Sequence, residues 1–361
     1  MNNQYLISVV IPVYNGEKFI NRAMESLLNQ TERNAQIILV NDGSTDGSGA
    51  VCDAFARQFD FIRVVHKRNG GLSSARNAGM VVAEGCYLMF VDVDDYLAPN
   101  TMERVAAVIR NEEPDCIDFG WQYVSESGEI TPNHHKLDKG RLLGEEVIRD
   151  VILPPLLNLC SDPDHFVFDF SCTKVYRTDI IRENQIRFDE NRRIWEDRPF
   201  VVQYLRYCKN YYSIDGSFYN YVDVPGSLSR QYRMEFFRII LENFRLYRDL
   251  YGGDYDFNTS YVNCYWSRAI ENMIFRSLEQ KENQQAIVGN IVDTLGDDQV
   301  KHWFAGRQPA NGFERRVFSY IAAGQAQQAL DCYRRRAAEK TMKEKFGGMI
   351  RCVGRKLLGR G

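Results

Sequence analysis

Three carboxylates, Asp92, Asp94 and Asp95, follow directly on Cys86-Tyr87-Leu88-Met89-Phe90-Val91, an uncharged run of apolar and aromatic residues. Such a run reads as a buried strand. Pro99 comes next, then Met102, Val105, Ala106 and Ile109 at helical spacing. The carboxylates therefore sit where a strand gives way to a loop, the place where open α/β sheets bind ligands. Asp92 and Asp94 point the same way if the chain stays extended, because strand side chains alternate with period two. Two carboxylates on one side make a hard-oxygen site for Mn²⁺ or Mg²⁺, and such an ion can grip a diphosphate. Acidic residues after a strand also cap helices and make turns, so the pattern takes its meaning from the rest of the chain.

The elements that must position these groups begin at Ile7–Val13, a strand closed by a Pro turn. Phe19, Ile20, Ala23, Met24, Leu27 and Leu28 then give one apolar helix face. Ile37–Val40 and Ile62–Val65 read as further strands. Each is followed by a loop and a helical pattern, the first carrying Val51, Ala54, Phe55 and Phe59, the second running from Leu72 to Ala83. Strand and helix alternate four times in about 100 residues, the βαβ signature of a parallel sheet. Four strand-end loops converge on one sheet edge: Pro12-Val13-Tyr14-Asn15-Gly16-Glu17, Asn41-Asp42-Gly43-Ser44, Asn69 to Arg76, and Asp92-Val93-Asp94-Asp95. Tyr14 suits stacking on a base, Asp42 a base N–H, Glu17 ribose hydroxyls, and Arg76 a phosphate or base. Read one at a time, Tyr14 and Asn15 are equally a turn and Asp42 a helix cap.

In combination, Val-Ile-Pro-Val-Tyr-Asn, Val-Asn-Asp-Gly-Ser-Thr-Asp-Gly-Ser, Asn-Gly-Gly-Leu-Ser-Ser-Ala-Arg-Asn-Ala-Gly and Phe-Val-Asp-Val-Asp-Asp-Tyr-Leu occur in that order. The chain resembles the family 2 glycosyltransferases of the GT-A fold, closely over residues 6 to about 100 and more loosely to Ser229. The resemblance implies a nucleotide site built by Pro12, Val13, Tyr14, Asn15, Glu17, Asp42, Asn69, Arg76 and Val93. It implies metal ligation by Asp92 and Asp94, with Asp94 the direct ligand. Val93 stands where many members have Ser, and its side chain is expected to face away. Trp195-Glu196-Asp197-Arg198-Pro199-Phe200 resembles the family's Glu-Asp pair at a helix start. This makes Asp197 the general base and Glu196 its catalytic neighbour, whereas the residues alone equally give Asp197 as a helix cap. Lys174 and Tyr219 to Ser229 match loose family patterns on the scaffold or acceptor side. His134-His135 lies in a polar loop without a shared motif.

The resemblance implies an inverting transfer from a nucleotide-diphosphate sugar, a UDP-sugar by family habit, to a hydroxyl of a glycan or lipid-linked glycan in surface-polysaccharide synthesis. Two other readings remain at this level. One is a non-catalytic sugar-nucleotide or glycan-binding relative. The other is an Asp-x-Asp phosphotransferase of the haloacid-dehalogenase type, disfavoured because Tyr96 stands where Thr or Val is wanted.

The 361 residues, 44% hydrophobic and 26% charged with a net charge of −3, suit a globular chain without nucleic acid as a partner. The nine cysteines are dispersed, without metal spacing, which fits a reducing cytoplasm. No signal peptide and no run of the roughly 20 apolar residues of a spanning helix are expected. Later strands are expected at Asp115–Val124 and Tyr211–Val222. Helices are expected at Gly144–Leu153, Ser171–Asn184 and Arg198–Tyr207, then at Met234–Tyr247, Tyr261–Leu278, Ile287–Leu295 and Phe318–Tyr333. The division is a GT-A domain over 1–232, with a nucleotide half 1–97 and an acceptor half 98–232. A helical region over 233–333 and a basic tail over 334–361 follow. The tail carries ten Lys/Arg against Glu339 and Glu344, and Phe346, Met349, Ile350, Val353, Leu357 and Leu358 fall on one helical face. That is a basic amphipathic pattern, expected to touch an anionic membrane from the cytoplasmic side.

Overall fold

Strand β1 (Tyr5–Val13) is buried from Ile7 onward on both faces. This is why its sequence is a continuous apolar run rather than an alternation. A computed structural model describes residues 5–133, 137, 139–159, 169–224, 236–257, 270–278 and 283–339 of the chain. The chain divides into two compact units, Met1–Gln231 and Tyr232–Gly361.

The first unit is a mixed sheet. Its other strands are β2 (Ala35–Asp42), β3 (Ile62–Lys67), β4 (Gly85–Phe90), β5 (Tyr96–Leu97), β6 (Cys116–Val124), β7 (Ile130–Asn133), β8 (Leu142–Gly144), β9 (Lys174–Arg177) and β10 (Asn210–Val222). The order is β3-β2-β1-β4-β9-β6-β10-β5, with β7 on β6 and β8 on β10. Strands β3, β2, β1 and β4 run parallel, joined by α1 (Glu17–Leu28), α2 (Ser48–Gln58) and α3 (Leu72–Val82). Ile7, Val9, Ile11 and Val13 of β1 form one core with Ile20, Met24 and Leu27 of α1, Cys52 of α2, and Met102, Val105 and Ile109 of α4 (Thr101–Glu112). The opposite face meets α3, where Gly79 lies so near β1 that a Cβ would stand 2.3 Å from Val10 Cγ1. Helices thus cover both sides of the parallel half.

The stretch expected as one helix over Ser171–Asn184 is instead a 3₁₀ turn (Ser171–Thr173), strand β9 and a short helix α5 (Thr178–Glu183). Strand β9 is antiparallel to both β4 and β6. Both its edges find hydrogen-bond partners, and pairing of this kind overrides the weak helical pattern of Lys-Val-Tyr-Arg. Helix α6 (Asp197–Leu205) and β10 follow as expected, β10 parallel to β6.

The second unit is helical over its described residues: α7 (Phe236–Tyr251), residues 270–278, α8 (Gln284–Gly296), α9 (Asp298–Gly306), α10 (Gly312–Ala322) and residues 326–339. Trp303 is fully buried and meets Phe244 edge-on at 4.9 Å. Helix α9, absent from the sequence reading, starts where Asp297 accepts the Gln299 N–H at 2.9 Å, a side-chain cap. The single helix expected over Phe318–Tyr333 is broken at Gly324, whose φ of +72° ends α10. His134-His135, part of the Tyr219–Ser229 and Tyr261–Leu278 stretches, and the tail beyond Glu339 lie outside the described residues. Among the described residues no helix is long and apolar enough to cross a membrane.

Candidate active site

The four loops named in the sequence are laced together by their own polar groups. Asn15, at φ +49°, accepts the Thr45 N–H at 2.8 Å, while its own N–H goes to Ser44 Oγ at 3.0 Å. Glu17 accepts the Gly47 N–H at 3.0 Å, beside the start of α2. Asp42, only 2% exposed, accepts from Lys67 Nζ at 2.5 Å, Gly70 N at 2.9 Å and Gly71 N at 2.7 Å. Both carboxylates hold neighbouring loops, Asp42 from a buried position and Glu17 from an exposed one. Pro12 and Val13 are buried in β1, whereas Tyr14, Asn15, Glu17 and Asn69 are exposed on this edge. Val93 packs against the core cluster and faces Gly16, where a Cβ would meet its Cγ1 at 3.0 Å.

The acidic stretch does not stay extended. Asp95 N donates to Asp92 O at 3.0 Å, so residues 92–95 turn and the period-two argument for Asp92 and Asp94 fails. The turn is held from β10. Tyr219 Oη accepts the Asp92 N–H at 3.1 Å and donates to Asp95 Oδ2 at 2.6 Å, and Val222 N donates to Asp95 Oδ1 at 2.8 Å. Arg22 donates to the Asp94 carbonyl. Burial, reinforced by the Asp92 charge, pushes the Asp94 carboxyl up to about 6. Burial, with Asp94 and Asp92 beside it, raises Asp95 well above its ordinary value.

Arg76 is the largest departure from expectation. It is 1% exposed rather than free for a phosphate. Its Nη2 meets Asp92 Oδ1 at 2.8 Å, and its Nη1 meets Asp197 Oδ1 at 2.9 Å and Glu196 Oε1 at 3.1 Å. Its guanidinium also lies 5.2 Å from the Phe188 ring centroid, and Phe188 stacks on Phe200 at 4.0 Å. Two carboxylates 105 positions apart in sequence thereby share one counter-charge. Asp197 opens α6 without capping it by side chain; its carboxylate instead accepts from Ser171 Oγ and Arg76. Burial raises both Glu196 and Asp197, the Asp197 charge lifts Glu196 further, the Asp92 and Asp169 charges lift Asp197, and Arg76 pulls both back.

Sequence reading missed Ser171 and Asn77. Asn77 fixes the approach to the Glu-Asp pair, donating to Phe188 O and Glu190 Oε1 and accepting from Phe188 N, all at 2.9 Å. Lys174 lies fully buried in β9 opposite Asp118 of β6.

Residues 8–184 match the model of Glycosyl transferase family 2. GlyG, a glycosyltransferase of Streptococcus pneumoniae, is 30% identical over 244 residues, 66% of this chain and 78% of GlyG. The chain belongs to the family 2 glycosyltransferases. EpsJ, an uncharacterized glycosyltransferase of Bacillus subtilis, is 33% identical over 224 residues, 62% of this chain; the chain spans 63% of EpsJ. The structure of residues 1–349 of Staphylococcus aureus TarS with UDP-GlcNAc superposes with a TM-score of 0.68 at 21% identity, covering 94% of this chain and 92% of that one. That likeness establishes the GT-A fold for this family 2 chain. In this chain the laced loops and the acidic turn converge on one strand-end edge of the sheet.

Asp92 and Asp94 fit a divalent cation by the chemistry of their donor set. Both offer hard oxygens, and among the described residues the half-buried Asp94 has no ion pair like that of Asp92 with Arg76. Among the described residues no cluster of three or more His, Cys, Asp or Glu is arranged to hold a metal. Mg²⁺ and similar ions are commonly held by one or two carboxylates, with substrate phosphates and water filling the rest of the shell.

Proposed function

We propose that this chain is an inverting glycosyltransferase that moves a sugar from a UDP-sugar to a hydroxyl of a glycan or lipid-linked glycan in cell-surface polysaccharide synthesis. One observation carries the reading: Arg76 ties Asp92, on the donor-side turn, to Asp197, at the start of α6, within a single guanidinium. Donor anchor and general base are thereby held as neighbours. Family membership removes the phosphotransferase alternative. The UDP-GlcNAc bound to TarS supports a uridine donor, and that match spans nearly all of this chain. GgaB, a minor teichoic acid biosynthesis protein of Bacillus subtilis, supports a surface-polymer acceptor at 34% identity over 63% of this chain.

Residues 1–97 form the nucleotide half, with Tyr14, Asn15 and Asn69 meeting the nucleoside and Asp42, Glu17 and Val93 holding the loops. Residues 98–232 form the acceptor half. Asp92 and Asp94 would hold Mn²⁺ or Mg²⁺, which would supply positive charge facing the leaving diphosphate. Asp197 takes the proton of the acceptor hydroxyl as its oxygen attacks C1 of the sugar. Arg76 and Ser171 keep that carboxylate oriented. Attack opposite the leaving diphosphate inverts C1, so an α-linked donor yields a β-linked product. The basic tail, residues 334–361, brings the enzyme to the inner face of the plasma membrane, where lipid-linked acceptors lie.

A donor screen tests this reading. The full chain with Mn²⁺ and a panel of sugar nucleotides should slowly release UDP from one UDP-sugar, read by mass spectrometry. Binding of a donor with no hydrolysis or transfer by any member of the panel would favour the non-catalytic relative.

A further inference from the structure

An aromatic stripe runs along β6 and β10, starting at the acidic turn. The two strands pair in register, Tyr219 opposite Trp121 and Tyr221 opposite Tyr123. Residues two apart share a sheet face, so these four rings lie on one side. At the inner end Tyr219 is 1% exposed, and its hydroxyl bridges Asp92 N and Asp95. Farther along the strands the stripe opens. Trp121 meets Tyr221 edge-on at 5.8 Å, Tyr123 stacks on Tyr221 at 6.3 Å, and all three are only partly buried. The Tyr123 hydroxyl donates to Asp223 at 2.5 Å, which fixes that ring. Phe170 lies edge-on to Trp121 at 5.7 Å and is 38% exposed. The next residue, Ser171, donates to the Asp197 carboxylate.

We propose that Phe170, Trp121, Tyr123 and Tyr221 form an acceptor subsite that stacks on the apolar face of a sugar ring and presents a ring hydroxyl to Asp197. The proposal rests on the reading of Asp197 as the general base. The occupant follows from the chemistry of the surface. Rings that only filled a core would be closed off like Phe119 and Tyr219, yet this group opens as it leaves the buried end of the sheet. Partly exposed aromatics beside a few fixed polar groups are the composition of a ligand site. A pyranose offers the matching surface, with C–H bonds on its face and hydroxyls around its rim. The stripe is continuous with the donor turn through Tyr219 and with the base through Phe170 and Ser171. A ring lying on it is bounded by both.

Saturation-transfer NMR on the full chain with UDP and diamagnetic Mg²⁺ tests the subsite. The probes are methyl β-D-glucopyranoside and methyl N-acetyl-β-D-glucosaminide. Saturation of ring C–H protons of at least one glycoside is expected in the wild type, with at least fivefold loss in Phe170→Ala and Tyr221→Ala and retention in Tyr221→Phe. Calorimetric UDP affinity within about twofold of wild type shows that each variant is folded. Equal saturation in wild type and both alanine variants would assign the rings to packing and overturn the proposal. No saturation of either glycoside by the wild type would overturn it as well. Failure of the underlying reading is separate, since it appears as absence of UDP release in the donor screen.

Discussion

A single guanidinium facing three carboxylates sets the behaviour of individual residues in this site. Arg76→Ala leaves Glu196, 7% exposed, without its counter-charge. Removing one partner from a buried ion cluster is strongly destabilising, so the variant should lose about 3 kcal/mol in urea unfolding. A loss below about 1 kcal/mol would show that the carboxylates discharge by taking up protons instead. Asp94 has a different part. Asp94→Asn should fold normally yet lose Mn²⁺-dependent binding of UDP, and calorimetry showing undiminished affinity would remove Asp94 as a ligand. The types and places of Asp92, Asp94, Glu196 and Asp197 were legible in the sequence. The partner of Asp197 was not, because Arg76 lies 121 residues away, and spacing says nothing about contacts made only when α3 and the start of α6 come together. Asp42 and Glu17 were legible as polar loop residues. Their engagement with backbone N–H groups of neighbouring loops depends on loop conformation, which composition leaves open.

Among the elements, the parallel half was the easiest to read, because its strands are short, mainly apolar runs and its helices carry one apolar face. Strand β9 was the hardest. Four residues without strict alternation become a strand only because β4 and β6 present edges to them. The turn at residues 92–95 was missed for a related reason: β10 imposes it through Tyr219 and Val222. Close approach of α3 to β1 gives an element-scale prediction. Gly79→Ala places a methyl 2.3 Å from Val10 Cγ1, and overpacking of this kind costs about 1–3 kcal/mol. Val10→Ala in the same chain should return part of that loss in thermal unfolding. If Gly79→Ala unfolds at the wild-type temperature, α3 does not press on β1 as described.

Across the whole molecule, charge is unevenly placed. The last 28 residues hold ten Lys/Arg and two Glu in a chain of net charge −3. Each basic residue close to an anionic bilayer is worth about 1 kcal/mol, so the full chain should sediment with phosphatidylserine-containing liposomes at low salt and a chain ending at Glu339 should not. Equal behaviour of the two would remove the tail from the account of function. The central claim is that Asp197 accepts the proton of the attacking hydroxyl while the donor is held by the neighbouring turn. Its most direct measurement compares Asp197→Asn with wild type in two assays, UDP binding with Mn²⁺ and UDP release from the UDP-sugar the enzyme selects. Binding should stay within about threefold. Release should fall by about 10²–10⁴-fold, because only the transition state needs the proton acceptor. Near-normal release by Asp197→Asn would contradict the account.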